Sequence, residues 1–187
     1  LMKFMKICPI PDLEIERLLT SLRSLLLMNL SGIHQEHKCN EFLEALALQC
    51  YANEYIYNQN ANETELINRL SAEVEENLIK GFQPETPTLL CLSLFKPIYD
   101  FSWHKQLEYP GALQQLRKIQ VDEVLLEKKI KKEISSLRPI DDEVSINVKN
   151  QYESKPYPRW KNLELIKKPQ TLEKSLAGSP YIRFDKS

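Results

Sequence analysis

The spacing of apolar residues is the feature that most constrains the fold, because it follows a helical period along most of the chain. The stretch from Asp12 to Met28 carries a wide apolar stripe made of Leu18, Leu19, Leu22, Leu25 and Leu26. Helical spacing returns at about residues 40–57, 62–81, 112–137 and 141–152, and no convincing strand alternation precedes residue 160. The sequence therefore predicts an all-α fold, an irregular bundle or array of about six or seven helices with an extended C-terminal tail.

Short polar side chains and a proline predict where several of these helices begin. Asn40 is expected to cap the second helix, and Asn62 with Glu65 three residues later resembles a capping box for the third. Thr86 precedes a proline, which is the usual pattern of an N-cap followed by a proline in the first turn. Asp141 is expected to cap the last helix.

The centre and the surface of the fold can also be anticipated. Leu89 to Phe95 is apolar on all sides and should form the buried centre. The irregular sequence that follows contains aromatic residues expected to seal a core edge, namely Tyr99, Phe101, Trp103 and Tyr109. In the helix over residues 112–137, which we expect to bend near Val121, one side is apolar: Leu125, Ile130, Ile134 and Leu137. The lysines of the same helix are predicted to form a solvated face: Lys128, Lys129, Lys131 and Lys132.

Length and charge limit the classes of protein that fit. A chain of 187 residues, 42% hydrophobic and 27% charged, is long enough for one ordinary core. Residues 1–148 carry 16 basic and 22 acidic side chains, whereas residues 149–187 carry 9 and 4. The basic charge of the C-terminal part is too dilute to indicate nucleic acid, so no nucleic-acid partner is expected.

The four cysteines and the lack of long apolar runs favour a cytoplasmic protein. Cys8, Cys39, Cys50 and Cys91 contain no CxxC pair, which indicates a reducing compartment. No apolar run approaches the roughly 20 residues that cross a bilayer, so no membrane partner is expected. The chain opens on Leu1 rather than on methionine and stops at Ser187 without a closing element. We therefore expect a fragment of a longer polypeptide.

The segment from 150 to 160 is the strongest candidate for a functional surface. It combines aromatic faces, two charges and two prolines that fix the backbone, and the candidate residues for acceptor binding or domain docking are Asn150, Gln151, Tyr152, Glu153, Tyr157, Arg159 and Trp160. Its aromatic rings are suited to hold a cation such as a lysine side chain. The alternative is that the segment only staples the helical domain to its neighbour. A general-base role for Glu153 is disfavoured, because no proton to be removed can be identified.

Two other clusters combine polar or metal-ligating side chains. Asn53, Glu54 and Tyr55 either line a substrate groove or satisfy neighbouring backbone groups at the end of a core helix. His34, His37 and Cys39 have a superficial metal-ligand spacing, but a closed site needs a fourth ligand, so no metal is expected. No arrangement of serine, histidine and acid predicts nucleophilic catalysis, and no catalytic residue is assigned.

Two blocks of sequence resemble a known family. One is the run from Phe42 to Tyr57, Phe-Leu-Glu-Ala-Leu-Ala-Leu-Gln-Cys-Tyr-Ala-Asn-Glu-Tyr-Ile-Tyr, and the other is Val148-Lys-Asn-Gln-Tyr-Glu-Ser-Lys-Pro-Tyr-Pro-Arg-Trp, preceded by Ile140-Asp-Asp-Glu-Val-Ser. They resemble the helical region that precedes the catalytic domain in bacterial class I S-adenosylmethionine-dependent methyltransferases associated with tetratricopeptide repeats. That family has Gln-Tyr-Glu-Glu-Asn-Pro-Tyr-Pro-Arg-Trp, from which Ser154 and Lys155 depart. The resemblance covers about residues 12–160.

The resemblance implies a division of labour between this chain and a catalytic domain. Residues 1–155 would be a helical domain, and residues 156–187 an aromatic, proline-containing joint and an extended tail. S-adenosylmethionine would belong to the parent enzyme. The separated glycines of this chain offer no glycine-rich cofactor loop: Gly32, Gly81, Gly111 and Gly178. The expected partners are the catalytic domain of the same polypeptide and a protein substrate. The competing hypothesis is a freestanding helical adaptor for protein–protein interaction.

Overall fold

The structure, a computed structural model, describes residues 1–33, 37–134 and 142–154. Within these residues it is helical and contains no strand. The helices are α1 (Met2–Ile7), α2 (Leu13–Met28), α3 (His37–Ala52), α4 (Ala61–Ile79), α5 (Thr86–Leu92), α6 (Gln114–Arg117), α7 (Glu123–Glu133) and α8 (Glu143–Ser154). A π-helical turn, Lys118–Asp122, joins α6 to α7 without a break, and short 3₁₀ turns lie at Leu30–Gly32, Ile98–Asp100, His104–Gln106 and Gly111–Leu113. The all-α prediction is confirmed, while the predicted tail lies outside the described residues.

The predicted helix starts are right for α2 and displaced for α4. Asp12 caps α2 by accepting a hydrogen bond from Ile15 N at 2.9 Å. In α4 the capping box is formed by Asn60 and Glu63, so the predicted box at residues 62 and 65 is wrong by two residues. Glu63 N donates to Asn60 Oδ1 at 2.9 Å, and Asn60 N donates to Glu63 Oε2 at 2.8 Å. The sequence carries the same asparagine-to-glutamate spacing twice, and the earlier copy lengthens the helix.

Three other predicted caps also differ from the structure. α3 begins at His37, so Asn40 lies inside the helix, and its buried Oδ1 has no hydrogen-bond partner among the described residues. The N-cap of α5 is Glu85, and Thr86 is already the first helical residue. Asp142 accepts from Ser145 N at 2.8 Å at the start of α8, whereas Asp141 lies outside the described residues. Where several polar residues lie near the start of a helix, spacing alone therefore does not show which of them caps it.

The core is centred on α3 and α5. α5 is buried along nearly its whole length, as predicted, and the buried residues continue to Phe95. Both α1 and α5 pack against α3. Trp103 is fully buried, stacks on Phe101 with ring centroids 4.6 Å apart, and donates from Nε1 to Ser71 Oγ at 3.1 Å. The aromatic residues after α5 thus close an edge of the core, as predicted.

The inward face of α2 differs from the predicted stripe. Its buried line is Leu19, Arg23 and Leu27, whereas Leu18 and Leu25 are 52% and 56% exposed. The predicted stripe was too wide, because it admitted every leucine within reach of the helix face and left out an arginine at the spacing of the buried residues. A charged side chain therefore occupies a core position of α2.

The last long helix begins in the core and then leaves it. Leu116 is fully buried in α6, and Val121 is buried in the π-helical turn, close to where a bend was predicted. α7, which the structure describes completely, has no buried side chain. The four lysines predicted to be solvated are all exposed, and one of them, Lys128, also places its Nζ 3.8 Å from the centroid of the Tyr99 ring. Across the described ranges, no helix combines the length and apolar character that spanning a membrane requires.

Candidate functional site

The residues that the sequence singled out fall in two places. Asn150 and Gln151 lie on α8, whose last turn also carries Tyr152 and Glu153, while Tyr157, Arg159 and Trp160 lie outside the described residues. Asn53, Glu54 and Tyr55 form the turn that follows α3. The residues on α8 therefore lie on an exposed helix, whereas the turn at 53–55 lies against the packed helices, which we call the helical body.

We use the word arm for α7 and α8, the two helices at the C-terminal end of the described chain, whose described side chains are nearly all exposed. Three exposed apolar residues follow one another at intervals of four residues at this end of the chain. Leu126 and Ile130 share one face of α7, and Ile134 is the C-cap residue directly after the helix. We call these three residues the α7 face. Glu127 and Glu133 lie beside it in the helical register, whereas Leu125 lies about 100° from Leu126 around the helix. The predicted apolar side, which took Leu125 and not Leu126 together with Ile130, is therefore wrong at this position.

α8 adds a second exposed apolar face. Val144 and Val148 are exposed and share one side of the helix, with Tyr152 next in register. All side chains described between residues 142 and 151 are exposed. The helix start is fixed by Asp142, and the hydrogen bond from Ser145 N holds the pKa of this carboxyl below its usual value. α8 therefore presents apolar residues to solvent immediately before the 150–160 segment.

The turn after α3 is a strained helix cap. Glu54 N donates to Tyr51 O at 3.1 Å and Tyr55 N donates to Cys50 O at 2.9 Å, which is the Schellman pattern. Glu54 and Tyr55 have φ angles of 53° and 55°, in the left-handed region that favours glycine. α4 ends on the same pattern with Gly81 at φ 85°. Each non-glycine residue in this region costs about 1–3 kcal/mol, so the packing around the turn must hold it in place.

Part of that support is a buried chain of polar groups. In the amide orientation that satisfies its surroundings, Gln49 accepts from Asn53 Nδ2 at 3.2 Å. It also binds three backbone groups in α1 and the connection that follows it: Met5 O and Cys8 O at 3.0 Å each, and Ile10 N at 2.9 Å. Asn53 Nδ2 also donates to Tyr57 Oη at 3.0 Å. Burial raises the pKa of Tyr57 to about 12. Gln49 therefore ties α3 to the N-terminal segment, and Asn53 links Gln49 to Tyr57 after the end of α3.

Tyr55 ties the same turn to the other side of the body. Its hydroxyl donates to Ser93 O at 3.3 Å and accepts from Gln120 Nε2 at 3.3 Å. Gln120 is fully buried in the π-helical turn, and its Oε1 accepts from Ile98 N at 3.0 Å. The Asn53 and Tyr55 side chains therefore satisfy polar groups inside the helical body, which was the alternative to a substrate groove.

Arg23 is an important residue that the sequence analysis missed. It is 1% exposed, and its guanidinium donates to three carbonyl oxygens: Asn58 O at 2.7 Å, Tyr57 O at 3.3 Å and Leu94 O at 3.5 Å. It also lies over the Phe95 ring, 4.3 Å from the centroid. Burial lowers the pKa of the guanidinium. The available signal was its position four residues from both Leu19 and Leu27.

Two clefts lie beside α4. The larger, about 420 Å³, lies between α2 and the start of α4 and is lined mainly by small polar side chains, among them Thr20, Ser24 and Asn58. The smaller, about 190 Å³, lies between α4 and the start of α5. Asn53, Glu54 and Tyr55 line neither of these clefts. The two clefts and the turn are therefore separate features.

The described residues contain no group of three or more histidine, cysteine or acidic side chains placed to hold a metal ion. Cys50 and Cys91 are buried, and burial raises the pKa of each thiol to about 12. These two cysteines therefore stay protonated at neutral pH and act as small apolar core residues.

Comparison with known proteins gives no match, whether to family models, to curated proteins or to solved structures. The resemblance to methyltransferase-associated regions therefore depends on the two sequence blocks quoted above.

Proposed function

We propose that this chain is the non-catalytic helical part of an S-adenosylmethionine-dependent methyltransferase, and that its arm docks the catalytic domain and positions a protein acceptor. The observation that carries the proposal is the α7 face. A continuous helix leaves the core and exposes Leu126 and Ile130, and Ile134 is exposed directly after its end, ahead of α8 and the 150–160 segment in the sequence. An amphipathic helix whose apolar face is left exposed is typical of a surface that another domain covers.

The energy available from this face is suited to docking within one polypeptide. Complete burial of an aliphatic side chain contributes roughly 1.5–3 kcal/mol, and these three are already partly shielded. Together they would contribute about 3–5 kcal/mol. That is modest for two separate molecules, but it is sufficient when a short linker keeps the partner at high effective concentration.

The identity of the partner comes from the resemblance. In the family that the sequence blocks resemble, the catalytic domain follows the proline-arginine-tryptophan motif and binds S-adenosylmethionine. The joint would comprise Asn150, Gln151, Tyr152, Glu153, Tyr157, Arg159 and Trp160. Its aromatic rings would hold a cationic acceptor such as a lysine side chain. The joint would increase the rate of methyl transfer by orienting the acceptor before the reaction.

The first test is to read the coding sequence beyond Ser187 and to titrate S-adenosylmethionine into the full encoded polypeptide and into the 187-residue chain. The proposal predicts a following strand with a glycine-rich loop, and binding by the full polypeptide alone. A stop codon directly after Ser187, or a longer polypeptide that binds no S-adenosylmethionine, would contradict it.

The second test separates docking from folding by comparing two adjacent leucines. Leu126→Asp places a charge on the α7 face, whereas Leu125→Asp changes a similarly exposed leucine on another side of the helix. In the full polypeptide, Leu126→Asp should weaken methyl transfer to protein acceptors and leave the unfolding of the helical body unchanged. Leu125→Asp should have little effect on either, and equal effects of both substitutions would argue against the α7 face.

A freestanding adaptor is the second candidate. It is favoured by the exposed leucines of α2, Leu18 and Leu25, which lie on the helical body and not on the arm. An adaptor predicts a stop codon after Ser187 and a partner protein that is lost on substitution of these leucines. The coding sequence therefore distinguishes the two candidates before any binding experiment.

A further inference from the structure

Two uncommon backbone features of this protein meet at one buried side chain. The π-helical turn is marked by the Glu123 N–H, which donates to Lys118 O five residues earlier. The strained turn is marked by the left-handed φ angles of Glu54 and Tyr55. Gln120 belongs to the first feature and donates from Nε2 to the Tyr55 hydroxyl, which belongs to the second. π turns and strained turns both occur preferentially at functional positions.

The π turn needs an external support. An isolated helix prefers the α-helical pattern, and a π turn persists where the surroundings stabilise its extra residue. Here Gln120 is fully buried and uses both ends of its amide, one on Tyr55 Oη and one on Ile98 N. In an α-helical register this amide would move away from these partners. The two hydrogen bonds are therefore specific to the π register.

Beyond the π turn, few contacts hold α7 against the body. Lys128 lies over the Tyr99 ring, whereas the ion pair of Arg117 Nε with Asp122 Oδ1, at 3.4 Å, joins α6 to the π turn and involves no residue of α7. Both members of that ion pair are about half exposed, so the pair contributes little. The direction of α7 consequently depends on the conformation of the π turn.

We propose that Tyr55 and Gln120 form a latch that holds the π register and thereby sets the direction in which α7 presents its apolar face. The latch has two states. In the closed state the amide of Gln120 binds Tyr55 Oη, and in the open state the turn is α-helical. The conversion changes the register by one residue and rotates the α7 face by about 100°. The latch belongs to the helical body, so it does not depend on which partner the arm binds.

The test compares two tyrosines whose hydroxyls take part in hydrogen bonds inside the body. Tyr55→Phe removes the hydroxyl that accepts from Gln120 and donates to Ser93 O, and Tyr57→Phe removes the hydroxyl that accepts from Asn53. Amide hydrogen exchange is followed for residues 118–123, whose backbone hydrogen bonds change partners between the two states, and, as an internal reference, for α4. Loss of the Gln120 bond corresponds to about a tenfold change in an opening equilibrium. Tyr55→Phe should therefore speed exchange in residues 118–123 about tenfold relative to α4, while Tyr57→Phe should leave that ratio unchanged.

A second variant keeps the result interpretable if Tyr55→Phe loosens the whole protein. Gln120→Met preserves the shape of the side chain but removes both hydrogen bonds. If the latch exists, Gln120→Met alone should raise the exchange ratio at least as much as Tyr55→Phe, and adding Tyr55→Phe to it should raise the ratio no further. Additive effects of the two substitutions, or an unchanged ratio in both single variants, would overturn the proposal.

Discussion

At the scale of single residues, the main departure from a simple apolar core is a set of buried polar side chains with defined partners. Arg23, Gln49 and Gln120 are all fully or almost fully buried. Each binds backbone groups that the irregular connections between helices leave without helical partners. The sequence does not reveal such residues, because their role depends on loops whose path is set by the tertiary fold.

Substitution of Arg23 should be far more costly than substitution of a surface arginine on the same helix. Arg23→Ala leaves three carbonyl acceptors unsatisfied and a void beside Phe95, so the free energy of unfolding should fall by about 3 kcal/mol. Arg17, paired with Glu14 at 2.8 Å on the surface of α2, is the matched control. Arg17→Ala should cost less than about 0.5 kcal/mol. Urea unfolding of both variants measures the difference, and similar losses would show that Arg23 is not a core support.

The buried thiols predict a loss of stability at alkaline pH. The pKa of Cys50 and of Cys91 is raised by burial from 9 to about 12. Below pH 9 the thiols are protonated in both states, so their contribution is fully present. Above pH 9 the unfolded chain releases protons that the folded chain retains, and stability falls by up to about 1.4 kcal/mol per pH unit and thiol.

Urea unfolding at pH 8 and at pH 10 checks this sign. The variant carrying both Cys50→Ala and Cys91→Ala should lose less stability over this interval than the parent, because two of the groups that ionise in the unfolded chain are removed. A parent and a variant with the same pH dependence would contradict the buried, protonated state of these thiols.

At the scale of helices, the sequence predicted which segments are apolar better than it predicted which face of a helix is buried. α5 is the buried centre because its residues are apolar on every side, which leaves no ambiguity. In α2 several alternative stripes fit the leucines, and the structure selects the line through Arg23. In α7 the pattern shows an apolar face, but the pattern does not say whether the face is buried in this chain or offered to a partner.

The continuous helix from α6 to α7 should therefore contain two energetically different halves. Leu116 is fully buried in α6, and Leu116→Ala should lower the free energy of unfolding by about 2–5 kcal/mol. Leu126 is 55% exposed, and Leu126→Ala should change it by less than about 0.5 kcal/mol. Thermal or urea unfolding of the 187-residue chain compares them. A large loss on Leu126→Ala would show that α7 packs within this chain.

At the scale of the whole molecule, the sequence was sufficient for the fold class and for the location of the core. The helical period and the composition determine both, since they depend on sums over many residues. The exact capping residues, such as Asn60 and Asp142, depend on single hydrogen bonds and were missed by one or two positions. The strained turn at Glu54 and the π turn at Gln120 have no local sequence signature, because tertiary contacts impose them.

In the candidate site, too, the sequence predicted the helical register but not the tertiary contacts. Spacing placed Val144, Val148 and Tyr152 on one side of the last helix, and α8 covers these positions in that register. The docking proposal rests on the α7 face, whose three side chains are all exposed.

The most direct measurement is amide hydrogen exchange of residues 123–133 in the 187-residue chain and in the full encoded polypeptide. If the α7 face docks a following domain, exchange should be fast in the chain alone and markedly slower in the full polypeptide. The Leu126→Asp substitution should then abolish the added protection, while Leu125→Asp should preserve it. Equal exchange in the chain and in the full polypeptide would contradict the docking role of the arm.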